Sequence, residues 1–210
     1  MGCQLYVVIE AGDAAPERLA AAFGAADLAS VLIVPPAGRP LDAAAARPLI
    51  EVAQRRGAAA LVATDARLAR SLGADGVHLG SPADPGDAYQ AARAILGPSG
   101  VIGVDPGISR HDAMTLAEAG ADYIAFGAPA HLKDRDKART RRDELVAWWA
   151  EIFQVPCVAF DVETAQEADA LAAAGVDFVA VTLPAGQSAA AARDLVAAIA
   201  AAIGARETAS

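Results

Sequence analysis

Four aspartates follow closely on short apolar runs: Asp65 after residues 60–63, Asp84 after 77–79, Asp105 after 101–104 and Asp161 after 156–160. If those runs end at one place, four carboxylates meet there. Carboxylates so gathered raise one another's pKa or recruit a divalent cation. Thr64 and Thr182, at the ends of runs 60–63 and 178–182, add hydroxyls for a small-molecule ligand. A second group, His131, Lys133 and Arg135, lies in a long polar stretch over 127–142, after the run 123–126. His titrates near neutrality, so Asp161 and His131 form a candidate acid–base pair, with Lys133 or Arg135 holding an anion. Lys133 and Lys137 are the only lysines in the chain. That stretch reads either as a solvated, charge-alternating loop or as a mobile cationic lid over an anionic ligand.

Most of these residues also have a plainer reading. Asp65 can cap a helix, and Glu163 can complement a helix dipole. Asp105-Pro106-Gly107 is a turn before it is a site. His78 reads as a barrel-interior packing residue with its hydrogen bonds satisfied, and His111 as a solvated surface group. Trp148 and Trp149 cannot both face a core, since helical neighbours differ by ~100°; one exposed Trp would suit a partner surface, a second copy included.

The elements that must position these residues are written in alternation. Apolar, β-branched-rich runs occupy 5–9, 31–34, 60–63, 77–79, 101–104, 123–126, 156–160 and 178–182. Each is bounded by turn-forming residues, as buried parallel strands are. Between them, Ala- and Leu-rich stretches at 16–23, 43–56, 66–72, 87–96, 110–119, 143–153, 165–174 and 189–203 predict helices. Gly73-Ala74-Asp75, Gly120-Ala121-Asp122 and Gly175-Val176-Asp177 each fall between a helix and a strand, with glycine free to take the left-handed turn. Eight such units predict a single-domain (β/α)8 TIM barrel over 1–204 with a frayed tail over 205–210. An open doubly wound sheet is the competitor, but no Gly-x-Gly-x-x-Gly turn follows the first run. In a barrel, chemistry belongs where strands end and the following loops begin.

Composition narrows the partners. With 210 residues, 55% hydrophobic, the chain is one ordinary domain and not disordered. A net charge of −9 argues against nucleic acid and against an anionic membrane surface. No apolar run approaches ~18 residues, so no membrane span is expected and the cytoplasm is the expected compartment. Cys3 and Cys157, both in apolar runs, are expected as buried thiols and not as a disulfide framework.

Gly73-Ala74-Asp75-Gly76-Val77-His78-Leu79-Gly80 resembles the strand-four signature of the thiamine phosphate synthase and thiazole tautomerase family. Leu5-Tyr6-Val7-Val8-Ile9 is similar to that family's opening strand, Ile102-Gly103-Val104 to its fifth, and Gly120-Ala121-Asp122-Tyr123-Ile124 to its sixth. Gly175-Val176-Asp177 matches its last Gly-Ala-Asp, so the likeness runs through nearly the whole chain in order. The resemblance implies a synthase that joins a pyrimidine-methyl diphosphate to a thiazole phosphate with Mg2+, or a tautomerase-like isomerase needing fewer phosphate contacts.

Carried over by position, the metal aspartates fall near Asp65 and Asp84, each one residue late; a one-residue loop slip would restore either. The cations after the family's second strand are replaced by Pro35-Pro36, and its Pro-Thr-x-Thr-Lys by roughly His131-Leu132-Lys133-Asp134-Arg135. The Gly-Gly whose amides bind phosphate aligns with Asp161-Val162, and Ser-Ala with Leu183-Pro184. The tautomerase histidine after strand five has no counterpart beside Asp105-Pro106-Gly107. These departures imply a family member altered in phosphate handling. From another class, the alternative is a non-catalytic barrel that binds a metabolite or a protein.

Overall fold

Strands and helices alternate from one end of the chain to the other in the computed structural model, which describes residues 2–128 and 133–207, the side chains of 206 and 207 excepted. The strands are β1 (Gln4–Glu10), β2 (Ser30–Val34), β3 (Ala59–Ala63), β4 (Gly76–Leu79), β5 (Val101–Val104), β6 (Tyr123–Phe126), β7 (Cys157–Ala159) and β8 (Phe178–Leu183). The helices are α1 (Ala15–Phe23), α2 (Ala43–Arg55), α3 (Ala66–Leu72), α4 (Pro85–Leu96), α5 (Arg110–Glu118), α6 (Arg135–Ile152), α7 (Ala165–Ala173) and α8 (Ala189–Glu207). All strand pairs are parallel, and β8 pairs with β1 (Leu5 opposite Val179), closing a (β/α)8 barrel. None of the described helices is long and apolar enough to cross a membrane.

The period of two along each strand sorts side chains between two cores. Leu5, Val7 and Ile9 point outward to the helices, while Tyr6 and Val8 point inward with Leu32, Leu61, Tyr123, Ala125, Val158 and Ala180. Both strand faces are therefore buried, which is why the runs are apolar throughout instead of alternating.

The three glycine–aspartate turns do more than end helices. Gly73, Gly120 and Gly175 adopt φ of 70°, 96° and 91°, and each following aspartate then reaches sideways to the strand before its own. The Asp75 carboxylate accepts from Ala60 N–H at 2.7 Å, Asp122 from Ile102 N–H at 2.8 Å and Asp177 from Cys157 N–H at 2.8 Å. Three ionic clamps thus join β3 to β4, β5 to β6 and β7 to β8 at the end of the barrel away from the βα loops.

Two boundaries differ from expectation. Helix α6 begins at Arg135, not near 143, because the Asp134 side chain accepts from Lys137 N–H at 3.0 Å and caps it. The stretch 135–142 is therefore helix, not loop. At the other end α8 continues to Glu207, past the expected limit at 204. Trp149 is fully buried against Phe126 and Phe153, and its indole N–H donates to Val155 O at 2.7 Å. Trp148 is half-buried, under the Arg110 guanidinium at 4.6 Å.

Candidate active site at the barrel mouth

Among the described residues three other than glycine have positive φ, and all three stand just past the carboxyl end of a strand: Thr64 (65°) after β3, Ser81 (36°) after β4 and Asp161 (58°) after β7. A left-handed β-branched Thr is an outlier, and such backbone persists where the surroundings dictate it, with working sites over-represented among the cases. Thr64 N–H is fixed by His78 O at 2.8 Å, holding the β3 and β4 ends together. Sequence reading passed over Ser81; its signal was a small polar residue directly after His78-Leu79-Gly80.

Asp105, after β5, and Asp161, after β7, both stand at this end of the barrel, near enough for the Asp161 charge to act on Asp105. Asp105 Oδ1 accepts from Gly107 N–H at 2.7 Å, closing the expected turn. Asp161 Oδ2 accepts from Ala128 N–H at 2.9 Å, reaching the loop after β6. Burial pushes the Asp105 carboxyl above the usual carboxylate range, against hydrogen bonds from Gly107 and Ser81, and the Asp161 charge adds to the push. Burial also raises Asp161, against the Ala128 amide and the guanidiniums of Arg142 and Arg135. A cavity of about 260 Å³ opens beside Asp105, lined also by Ser81, Gly127 and Arg142, with Ile108 71% exposed on its rim. The pair can donate or accept a proton, or hold an amine or hydroxyl.

Below the mouth lies a polar chain inside the apolar barrel. Tyr6 and Tyr123 share a hydrogen bond at 2.9 Å, and His78 Nδ1 meets Tyr123 Oη at 3.0 Å. The Phe160 ring stacks on the His78 imidazole with centroids 4.7 Å apart. His78 is thus the interior packing histidine that its place in the sequence suggested. Burial depresses its pKa to about 4. A histidine depressed in the fold stays neutral while the unfolded chain protonates below ~6.5, so its contribution is intact above that value and is lost as pH falls from about 6.5 to about 4. The expected loss is roughly 3 kcal/mol. Urea midpoints for the wild type and His78→Asn across pH 7.5 to 4.5 check it: the wild-type midpoint should fall the more steeply, and parallel slopes would refute the assignment.

The other expected site residues are distributed as follows. Asp65 and Asp84 are exposed helix caps, accepting from Leu68 N–H at 2.8 Å and Asp87 N–H at 2.9 Å. Each therefore has one oxygen already engaged, and among the described residues no three His, Cys, Asp or Glu side chains gather as a metal-holding group. Asp65 and Asp84 each keep a second carboxylate oxygen, so capping by itself does not remove either from a Mg2+ site completed by water and substrate phosphates. Arg135 donates to Ala128 O and to Glu163, and Arg139 reaches Glu163 at 2.5 Å and Glu167 at 3.1 Å. From Arg135 onward the segment is a helix fastened to the loop after β7, which corrects the cationic-lid expectation there. Lys133 is exposed, Thr182 is the one exposed residue of β8, and His131 lies outside the described residues.

Sequence reading also missed a bracket at the other side of the mouth. The Glu10 carboxylate, at the end of β1, accepts from Ala37 N–H at 3.1 Å and Ala185 N–H at 2.9 Å. Those amides hold its pKa below the usual range. Arg18, 2% exposed, donates to Ala185 O at 3.1 Å and Glu10 O at 2.7 Å.

The molecule is a single-domain (β/α)8 barrel whose perturbed carboxylates and strained turns gather at the carboxyl ends of its strands. A family model described as thiamine monophosphate synthase matches residues 5–184, and the chain belongs to that family. It is 37% identical over 186 residues to a thiamine-phosphate synthase of Rhodospirillum centenum, covering 85% of this chain and 87% of that one. A thiamine-phosphate synthase of Erythrobacter litoralis is 42% identical over 139 residues, 65% of this chain and 64% of that one. Among solved structures, thiamine phosphate pyrophosphorylase from Pyrococcus furiosus superposes with a TM-score of 0.74 at 20% identity over 96% of each chain. That last likeness speaks to the fold alone.

Proposed function

We propose that this barrel acts on a small heterocycle of thiamine metabolism at the Asp105–Asp161 mouth, with phosphate handling altered from the ordinary coupling reaction. The observation that carries the reading is Asp161 itself. A carboxylate occupies the turn after β7 and fills the Ala128 amide with its own oxygen. Glu10 does the same to the Ala37 and Ala185 amides. Amides that already hold a carboxylate are not open to a phosphate, and two like charges at ~4 Å repel by about 1 kcal/mol even in water. Three cations of α6, Arg135, Arg139 and Arg142, are similarly engaged by Glu163 and Glu167.

In this reading Asp161 serves as the acid–base group with His131, Asp105 is the second carboxyl, and Lys133 holds an anionic part of the ligand, Arg135 being taken up by Glu163. Thr64 and Thr182 offer hydroxyls at the rim, and Asp65 and Asp84 remain as caps. A second reading, the ordinary synthase reaction, is favoured by the names of the relatives.

One experiment separates the two. The purified protein with Mg2+ is given pyrimidine diphosphate and thiazole phosphate, and thiamine phosphate is quantified. In parallel, melting shifts are read against each compound and its unphosphorylated parent, since a ligand stabilises by mass action. The proposal expects little coupling product and shifts that do not require the phosphate. Robust thiamine phosphate formation would overturn it.

A further inference from the structure

We infer that Arg142 is a positioning residue that sets the place of Asp161, an inference that rests on the reading of Asp161 as the working acid. Arg142 is buried, its side chain fully out of solvent, in the second turn of α6. Its Nη1 donates to Phe160 O and to Asp161 O, both at 3.1 Å. Nη2 donates to Glu167 Oε1 at 3.3 Å and Nε to Asp143 Oδ1 at 2.9 Å. A guanidinium is planar and its donors are fixed in direction, so these partners leave it one orientation.

The backbone that Nη1 grips is the unusual one. Carbonyls of consecutive residues in an extended strand point to opposite sides, yet those of Phe160 and Asp161 both turn to the same nitrogen. The left-handed φ of 58° at Asp161 accompanies that reversal. From the reversed backbone the Asp161 carboxylate reaches Ala128 N–H, and the Phe160 ring, one residue earlier, lies on His78. Arg142 therefore fixes both the acid at the mouth and the ring beneath it. Its other contacts tie α6 to Glu167 at the start of α7, so the loops after β6 and β7 are held as one piece.

Asp161 is free to be ionised or neutral in this arrangement, because Arg142 grips its carbonyl and leaves the carboxylate to the Ala128 amide. A lysine would keep the charge and lose the two-carbonyl grip. The test is Arg142→Lys, read by amide exchange and by carboxyl titration in NMR, neither of which depends on which reaction the barrel runs. Exchange at Ala128 is divided by exchange at Val7 in the barrel wall, so a general loss of stability cancels. Expected are a fall of threefold or more in the relative protection of Ala128 and a move of the Asp161 midpoint further above the ordinary carboxylate value, because the burial that raises it stays while the Ala128 amide that opposes it is loosened. A smaller fall with an unmoved midpoint overturns the inference and leaves Arg142 as packing.

Should Arg142→Lys fail to fold, the unaltered protein decides. The Arg142 Nη resonances should shift through the Asp161 titration, and resonances indifferent to it overturn the inference.

Discussion

Asp161→Asn is expected to reduce turnover of whichever thiamine-pathway substrate the protein accepts by about 10²–10⁴-fold, the usual worth of a positioned acid or base. The substitution is nearly isosteric. Asn tolerates the left-handed backbone that Asp161 adopts, and its side-chain oxygen can still accept from Ala128 N–H. What is lost is the ionisable group. Stability should move the other way: a carboxyl raised by burial costs the fold as pH rises through its folded value, and Asn has no charge to bury. At neutral pH the variant should therefore melt at or slightly above the wild type while turnover falls. Steady-state kinetics beside a denaturation curve reads both, and undiminished turnover would remove Asp161 from the chemistry.

The largest structural effect is expected at Gly103. It stands opposite Tyr123 in the β5–β6 register, and a Cβ built there would lie 1.8 Å from the Tyr123 ring. Tyr123 cannot yield cheaply, because its hydroxyl is the middle member of the chain from Tyr6 to His78. Gly103→Ala must displace the ring and break both hydrogen bonds. Overpacking costs about 1–3 kcal/mol and an orphaned buried polar group about 1–3 more, so roughly 3–5 kcal/mol is expected. Urea denaturation measures it. Tyr123→Phe, which keeps the ring and loses only the hydroxyl, should cost less. If the two cost the same, the clash at Gly103 is not the operative term.

The frame was legible because barrel strands are buried on both faces, and such strands announce themselves as unbroken apolar runs. The β5 and β6 limits coincide with the runs 101–104 and 123–126. The left-handed glycines at 73, 120 and 175 were legible for a similar reason, since helix ends demand that conformation. Legibility failed where charged residues fold against charged partners far along the chain. The residues 133–142 carry no apolar period until Leu145, so the capping Asp134 is the only local mark of a helix there. Its stabilisation comes from Glu163 and Glu167, two dozen or more residues away. Arg142 looked like one more solvated cation, and only tertiary structure shows it enclosed. The nearness of Asp105 and Asp161 depends in the same way on barrel closure, which brings the ends of β5 and β7 to the same opening.

The clamps of Asp75, Asp122 and Asp177 carry a consequence for how the chain may be divided. Each stitches an odd strand to the even strand after it, so a cut between β4 and β5 crosses none of them. The amino-terminal half keeps Asp75 on Ala60, and the carboxyl-terminal half keeps both Asp122 on Ile102 and Asp177 on Cys157. One strand pair before that seam and two after it retain their own sutures. Recombination or splitting at the seam therefore spares these three clamps, while the ladders at Val101 N–H to Asp75 O and Gln4 N–H to Asp177 O, the Tyr6–Tyr123–His78 chain, the Glu10 and Arg18 bonds to Ala185 and the Arg93–Asp122 pair have to be remade on reassembly.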